Sequence, residues 1–408
     1  MDFNTRLLHG RAVGGYADDS TLPHISQAVE YRFDTAEEAG RAFSHRSPAF
    51  AYSRVANPTV SAFERRMAEM EGGAGAYACA SGMTAVTLSL LNILSAGDEI
   101  ISARGIYGGT MDLFSDLEDL GIHTVYADDL LPQTIEPLFT DRTRVVFGEV
   151  IGNPSLRIMD IAAAAAVAHR HHAVLVVDAT TATPRIVTQL KFGADIVVHS
   201  TTKYISGSGQ AVCGVIVDSG RTPWKAEDFP ALKKFTRFGS MAYLIRLRTD
   251  TGENFGGTMS PVNAYLTTLG LETLGVRMDR ICSGADALAG TLASLPSIEV
   301  NYPTLPGHPD EALVESELSG RGGGIVTIRA GSRDRAFAIL NHLKCAMIAT
   351  SLGDVRTLAI HPASTFNINA TPEQNEAAGV FPDTIRVSVG IEDAADLIED
   401  FTQAVSVC

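Results

Sequence analysis

Between about residues 60 and 220, short apolar runs alternate with segments of helical character. That alternation builds a mostly parallel sheet covered on both faces. The runs that read as strands are residues 76–80, 99–102, 124–126, 145–147, 173–177, 196–199 and 214–217. Between them, residues 160–170 are the plainest helix, because alanine gives up least on entering one. Residues 84–94 form a second helix. The expected fold class is α/β, a seven-stranded sheet between helices.

The flanking segments are patterned differently. Residues 1–60 carry scattered Gly and Pro with little periodicity, which predicts an extended arm of the kind that embraces a partner subunit. Beyond Gly256-Gly257 a long helix over 261–278 and another over 280–295 are expected. Strands at 326–329 and 385–389, with a helix at 333–343, then predict a smaller α/β domain. The division is thus an arm over 1–60, a large domain over 61–256 and a C-terminal domain over 257–408. Residues 303–324 read as a surface loop, and the glycines from Gly320 to Gly324 as a flexible turn, since no strand leads into a G-x-G-x-x-G there.

Composition narrows the class. A chain of 408 residues with 45% hydrophobic and 19% charged residues can bury large cores. Its formal charge of −15, without a basic run, argues against nucleic acid and anionic lipid as partners. The start of the chain lacks a signal-like apolar core, and no stretch approaches a membrane span, so a cytoplasmic location is expected. Five cysteines without a C-x-x-C pair read as reduced thiols. His169, His171 and His172 close a helix, where imidazoles complement the dipole, and no metal is expected.

The chemistry lies at two strand ends. Asp178 ends the apolar run Val174 to Val177, and Lys203 follows Ile196-Val197-Val198 by way of His199-Ser200-Thr201-Thr202. Functional groups in open parallel sheets gather at the carboxyl ends of strands, so both side chains can reach one crevice. Pyridoxal 5′-phosphate (PLP) needs such a pair, an amine for its aldehyde and a carboxylate for its ring nitrogen. Ala80-Ser81-Gly82-Met83, leading into a helix, offers N–H groups suited to a phosphate.

The run Gly193-Ala194-Asp195-Ile196-Val197-Val198-His199-Ser200-Thr201-Thr202-Lys203-Tyr204 resembles the PLP-lysine signature of the Cys/Met-metabolism PLP-dependent family. Further matches run in order from residue 52 to residue 390. The resemblance implies a type I aminotransferase-like PLP fold and a role for each matching position. Lys203 would hold the cofactor and move protons, Asp178 would pair with the ring nitrogen, and Tyr107 would stack on the ring. Ser81, Gly82, Met83, Thr180, Ser200 and Thr202 would complete the cofactor site. Tyr52 and Arg54 would reach the phosphate of a neighbouring subunit, making a homodimer or homotetramer with shared active sites. Asn153, Ser351 and Arg386 would bind the substrate.

Within that family, Gly353-Asp354-Val355-Arg356-Thr357-Leu358 and His361-Pro362-Ala363-Ser364-Thr365 most resemble O-acetylhomoserine sulfhydrylases. The implied reaction is γ-replacement on an O-acylated homoserine by sulfide or a small thiol. The alternatives are a γ-lyase releasing ammonia and a 2-oxo acid and, more remotely, an α/β protein without PLP. Gly109, where methionine γ-lyases carry cysteine, counts against the lyase. The small neutral Thr350 favours a small nucleophile. Three positions depart from the family pattern: Ala179, Ser208 and the pair Phe366-Asn367.

Overall fold

The computed structural model describes residues 1–16 and 19–408; Ala17 and Asp18, which fall within the expected arm, lie outside the described residues. The expected runs form a seven-stranded sheet: β1 (Gly75–Cys79), β2 (Glu99–Ala103), β3 (His123–Ala127), β4 (Thr143–Glu149), β5 (Val174–Asp178), β6 (Ile196–His199) and β7 (Gly214–Asp218). The strand order is β1-β7-β6-β5-β4-β2-β3. β7 runs antiparallel to both neighbours, and the remaining pairs are parallel. The carboxyl ends of β1, β2, β4, β5 and β6 therefore open on one edge.

The apolar runs are legible as strands because both faces of this sheet are buried. On β5, Leu175 and Val177 join one core and Val174 and Val176 the other. A strand covered on both sides has no polar face to alternate with. Helix Ile161–Arg170 packs on β5 and starts where the Asp160 side chain accepts the Ala163 N–H at 2.8 Å.

A second sheet has the order β10-β11-β12-β9-β8, with β8 (Glu299–Asn301), β9 (Ile325–Arg329), β10 (Met347–Ile348), β11 (Leu358–Ile360) and β12 (Thr384–Ser388). Ile385, Val387 and Val389 face its core. Alternation along β12 puts Thr384, Arg386 and Ser388 on the opposite face.

Three sequence expectations change. The arm carries two helices, Phe3–His9 and Ala36–Phe43, the second capped by the Thr35 side chain accepting the Glu38 N–H. The long helix breaks at Thr273, giving Pro261–Glu272 and Leu274–Leu292 rather than a break near residue 279. Residues 303–324 are no simple surface loop: they carry helix Glu311–Ser316, and Gly322 packs so tightly that an added Cβ would lie 2.5 Å from the Tyr302 ring. Gly322 and Gly324 serve close packing, while Gly320 and Gly323 take the positive φ of a turn.

The histidines that end helix Ile161–Arg170 go to separate carboxylates. His169 bonds Asp195 at 2.8 Å, and His171 bonds Glu136 at 2.7 Å. Among the described residues, no helix is long and apolar enough to cross a membrane.

Candidate active site

The five strand ends converge on a cavity of about 560 Å³, which β12 closes from the opposite side with Arg386. The turn after β6 brings Lys203 to it. Of the chain's lysines, Lys203 alone lines this cavity among the described residues. Its Nζ donates to Ser351 Oγ at 3.2 Å. Burial, and then the nearby Arg386 cation, push the amine below the usual lysine range. Ser351 can come this close because Gly353 adopts a φ of +74° and stands where a Cβ would lie 2.4 Å from Tyr204 N.

Asp178, at the end of β5, has no ion pair among the described residues. Its Oδ1 accepts the Thr180 N–H at 2.9 Å, and burial raises its carboxyl above the ordinary range. The Thr180 hydroxyl also accepts the Ser200 N–H at 2.8 Å, which locks the ends of β5 and β6 together.

After β1, the Ser81 side chain caps helix Gly82–Leu91 by accepting the Thr84 N–H at 3.0 Å. The Gly82 and Met83 N–H groups stand in the first turn without intrahelical acceptors. Ser200 faces Gly82 closely enough that a Cβ there would lie 2.4 Å from Ser200 Cβ. A substitution at Gly82 would therefore close this recess. Thr202 lines the cavity, but its hydroxyl donates to Cys213 O at 3.1 Å and accepts the Cys213 N–H at 3.0 Å.

Tyr107 follows β2 and caps helix Gly108–Asp119. Its ring borders the cavity and lies where a Cβ on Gly109 would be 2.6 Å from Tyr107 Cε1. Arg386 is 2% exposed. It donates through Nη2 to the carbonyls of Ser351 at 2.7 Å and Thr350 at 3.1 Å. Nη1 reaches Asn153 Oδ1 at 3.5 Å, and the Phe366 ring centroid lies 4.9 Å from the guanidinium carbon. Burial lowers its pKa to about 10, which still leaves it charged at neutral pH.

Tyr52 and Arg54 are not brought to this cavity within their own chain. Arg54 Nη1 donates to Glu253 O at 2.6 Å, and its guanidinium carbon lies 5.4 Å from the Tyr52 ring centroid. Of the three departures, only Phe366 lines the cavity. Ala179 is fully buried, the Ser208 carbonyl accepts from Arg356 at 3.1 Å, and the Asn367 side chain donates to Asn375 at 3.0 Å.

Sequence reasoning passed over Glu149 as a site residue. It ends β4 as Asp178 ends β5, the two are in register, and both line the cavity. The signal was present, an acidic residue closing an apolar run, but the adjacency becomes visible only once the strand order is known.

These groups fit PLP. The recess offers one amine, a carboxyl without an ion pair opposite it, unpaired N–H groups at a helix start and a neighbouring serine, which match the cofactor's aldehyde, ring nitrogen and phosphate.

Comparison with known proteins agrees. The profile of the Cys/Met metabolism PLP-dependent enzyme family matches residues 4–406, and the chain belongs to that family. It is 38% identical to a homocysteine synthase from Schizosaccharomyces pombe, over 99% of this chain and 98% of that one. It is 35% identical to an L-methionine gamma-lyase from Pseudomonas putida, over 98% of this chain and 96% of that one. A crystal structure described as an O-acetylhomoserine (thiol)-lyase from Campylobacter jejuni, which holds pyridoxyl-lysine phosphate, superposes with a TM-score of 0.94 at 32% identity, covering 100% of both chains. The protein is a PLP-dependent enzyme with the type I aminotransferase-like fold.

Proposed function

We propose that this enzyme replaces the γ-substituent of an O-acylated homoserine with sulfide or a small thiol. One observation carries the reading: the carboxyls lining the cavity, among the described residues, are Glu149 and Asp178, both at strand ends. Opposite them stand Arg386, Ser351, Thr350 and Phe366, with no acid among them. A zwitterionic second substrate would bring an ammonium group with no carboxylate to meet it. Sulfide or methanethiol brings none. The names of the homocysteine synthase and thiol-lyase relatives support the same reading.

In this reading Arg386 clamps the substrate carboxylate, with Ser351 and Asn153 beside it. Its fork suits two carboxylate oxygens at once. Lys203 would hold the cofactor, and its amine, pushed below the usual lysine range by burial, takes the proton from the substrate α-carbon and returns it later. When bound, PLP supplies an electron sink for charge developing on the substrate carbons. Asp178 would keep the ring nitrogen protonated, Tyr107 would border the ring, and Gly82, Met83 and Ser200 would hold the phosphate. Ser81 and Thr180 set these groups in place through the helix cap and the β5–β6 link, and Thr202 does so through Cys213.

The test is a panel of γ-substituted amino acids with and without sulfide. O-acetylhomoserine plus sulfide should give homocysteine, and omitting sulfide should leave slow 2-oxobutanoate release. Fast 2-oxobutanoate formation that sulfide does not divert would replace this reading with the γ-lyase, which the Pseudomonas relative keeps in view.

We also propose the division into a 1–60 arm, a 61–256 PLP-binding domain and a 257–408 domain, with active sites shared between two chains. Tyr52 and Arg54 miss their own cavity while lying on the arm, as phosphate ligands acting in trans would. Mixing inactive Lys203→Ala and Arg54→Ala chains should then restore about a quarter of the sites, because half the dimers are hybrids with one intact site each. Hybrids that stay inactive after confirmed subunit exchange would exclude action in trans.

A further inference from the structure

Glu149 has no part in the chemistry proposed above, yet it borders the cavity beside Asp178. Its Oε1 accepts the Tyr107 N–H at 2.6 Å, and the Asn153 N–H also serves this carboxyl. Those two residues come from different loops. Tyr107 follows β2 and Asn153 follows β4, and one supplies the ring-covering phenol while the other touches Arg386 through its side chain. One side chain at a strand end thus reaches both walls of the cavity.

The geometry points to Glu149 as a positioning residue whose reach and acceptor oxygen, not its negative charge, fix the Tyr107 and Asn153 loops around the cofactor ring. This deepens the proposed PLP chemistry and rests on that reading. Two carboxyls at neighbouring strand ends repel one another when both are ionised. Burial first, and then Asp178, raise the Glu149 carboxyl. A protonated Glu149 still has an acceptor oxygen for the Tyr107 N–H, so the bond that holds this loop does not need the carboxyl to be ionised. A glutamine offers the same shape and keeps an amide oxygen to accept from the Tyr107 N–H.

Charge and reach are separated by two mild variants. Glu149→Gln keeps the reach and removes the capacity to ionise, whereas Glu149→Asp keeps an ionisable carboxyl and withdraws it by about 1.5 Å, one carbon–carbon bond. The readouts on the holoenzyme are the visible circular dichroism of the bound cofactor, which reports its ring surroundings, the PLP dissociation constant, and kcat and KM separately. Glu149→Gln should keep the wild-type visible signal, with kcat/KM within about threefold, while Glu149→Asp alters that signal and loses about tenfold or more in kcat/KM. Thermal unfolding checks that both variants fold.

The opposite order, with Asp active and Gln impaired, would assign the role to the charge and overturn the proposal. Equal behaviour of the two variants, whether both intact or both impaired, overturns it as well. A wild-type protein that takes up no PLP would instead sink the underlying assignment, and that outcome is read before any variant is made.

Discussion

A Lys203→Ala chain is expected to lose activity by at least about 10⁴-fold and to take no covalent label on borohydride treatment, because the proposed function makes this residue both covalent anchor and proton carrier. The structure leaves no substitute. The other lysines, at positions 191, 225, 233, 234 and 344, do not line the cavity. Intact-mass measurement after borohydride should add the reduced cofactor to the wild-type chain at Lys203 and nothing to the variant. A label on another lysine, or a variant within a hundredfold of wild type, would remove Lys203 from the centre of the mechanism. Stability should change little, since the Lys203 amine makes a single bond of 3.2 Å to Ser351 on the wall of an open cavity.

The sequence revealed the parts of this molecule that depend on local pattern. Strands buried on both faces appear as unbroken apolar runs, so the seven large-sheet strands were legible within a residue or two. Lys203 and Asp178 stood out because each ends such a run. What stayed hidden depends on pairing between distant segments. Arg386 is one polar residue within a strand, and only the packing of the second sheet's polar face against the first sheet's edge turns it into a cavity wall. Without the family resemblance it would read as an ordinary surface charge.

Glu149 illustrates the same limit from the other side. Its acidic character was visible, but its pairing with Asp178 follows from the β4–β5 register, which no local pattern prints. The three departures from the family motif sort themselves by the same logic. Ala179 and Ser208 sit next to functional residues in the chain yet do not line the cavity, while Phe366, from a remote segment, lies under Arg386. Distance along the chain was a poor guide to which substitution borders the cavity.

Arg386→Leu is the second change with a large expected effect. Removing one partner of a buried charge pair costs about 3–5 kcal/mol, so KM for the amino-acid substrate should rise by ~10²- to 10³-fold, with kcat falling less. Arg386→Lys should lie between, because an ammonium keeps the charge but cannot offer two parallel N–H donors. The pH profile gives an independent reading. Arg386 contributes, after burial, to holding the Lys203 amine below its usual range, so removing the cation lets that amine rise. The neutral amine is the active form, and the acid side of the profile for uptake of PLP by the unloaded chain should therefore move to higher pH in Arg386→Leu and stay near wild type in Arg386→Lys. The Ser351 and Thr350 carbonyls lose their donor in the leucine variant, which predicts a lower melting temperature without loss of fold. An unchanged KM in a folded Arg386→Leu enzyme would place the substrate carboxylate elsewhere. In that case Lys203 and the helix start at Gly82 are the remaining positive ends in the cavity, and the substrate would have to be turned end for end relative to the reading given above.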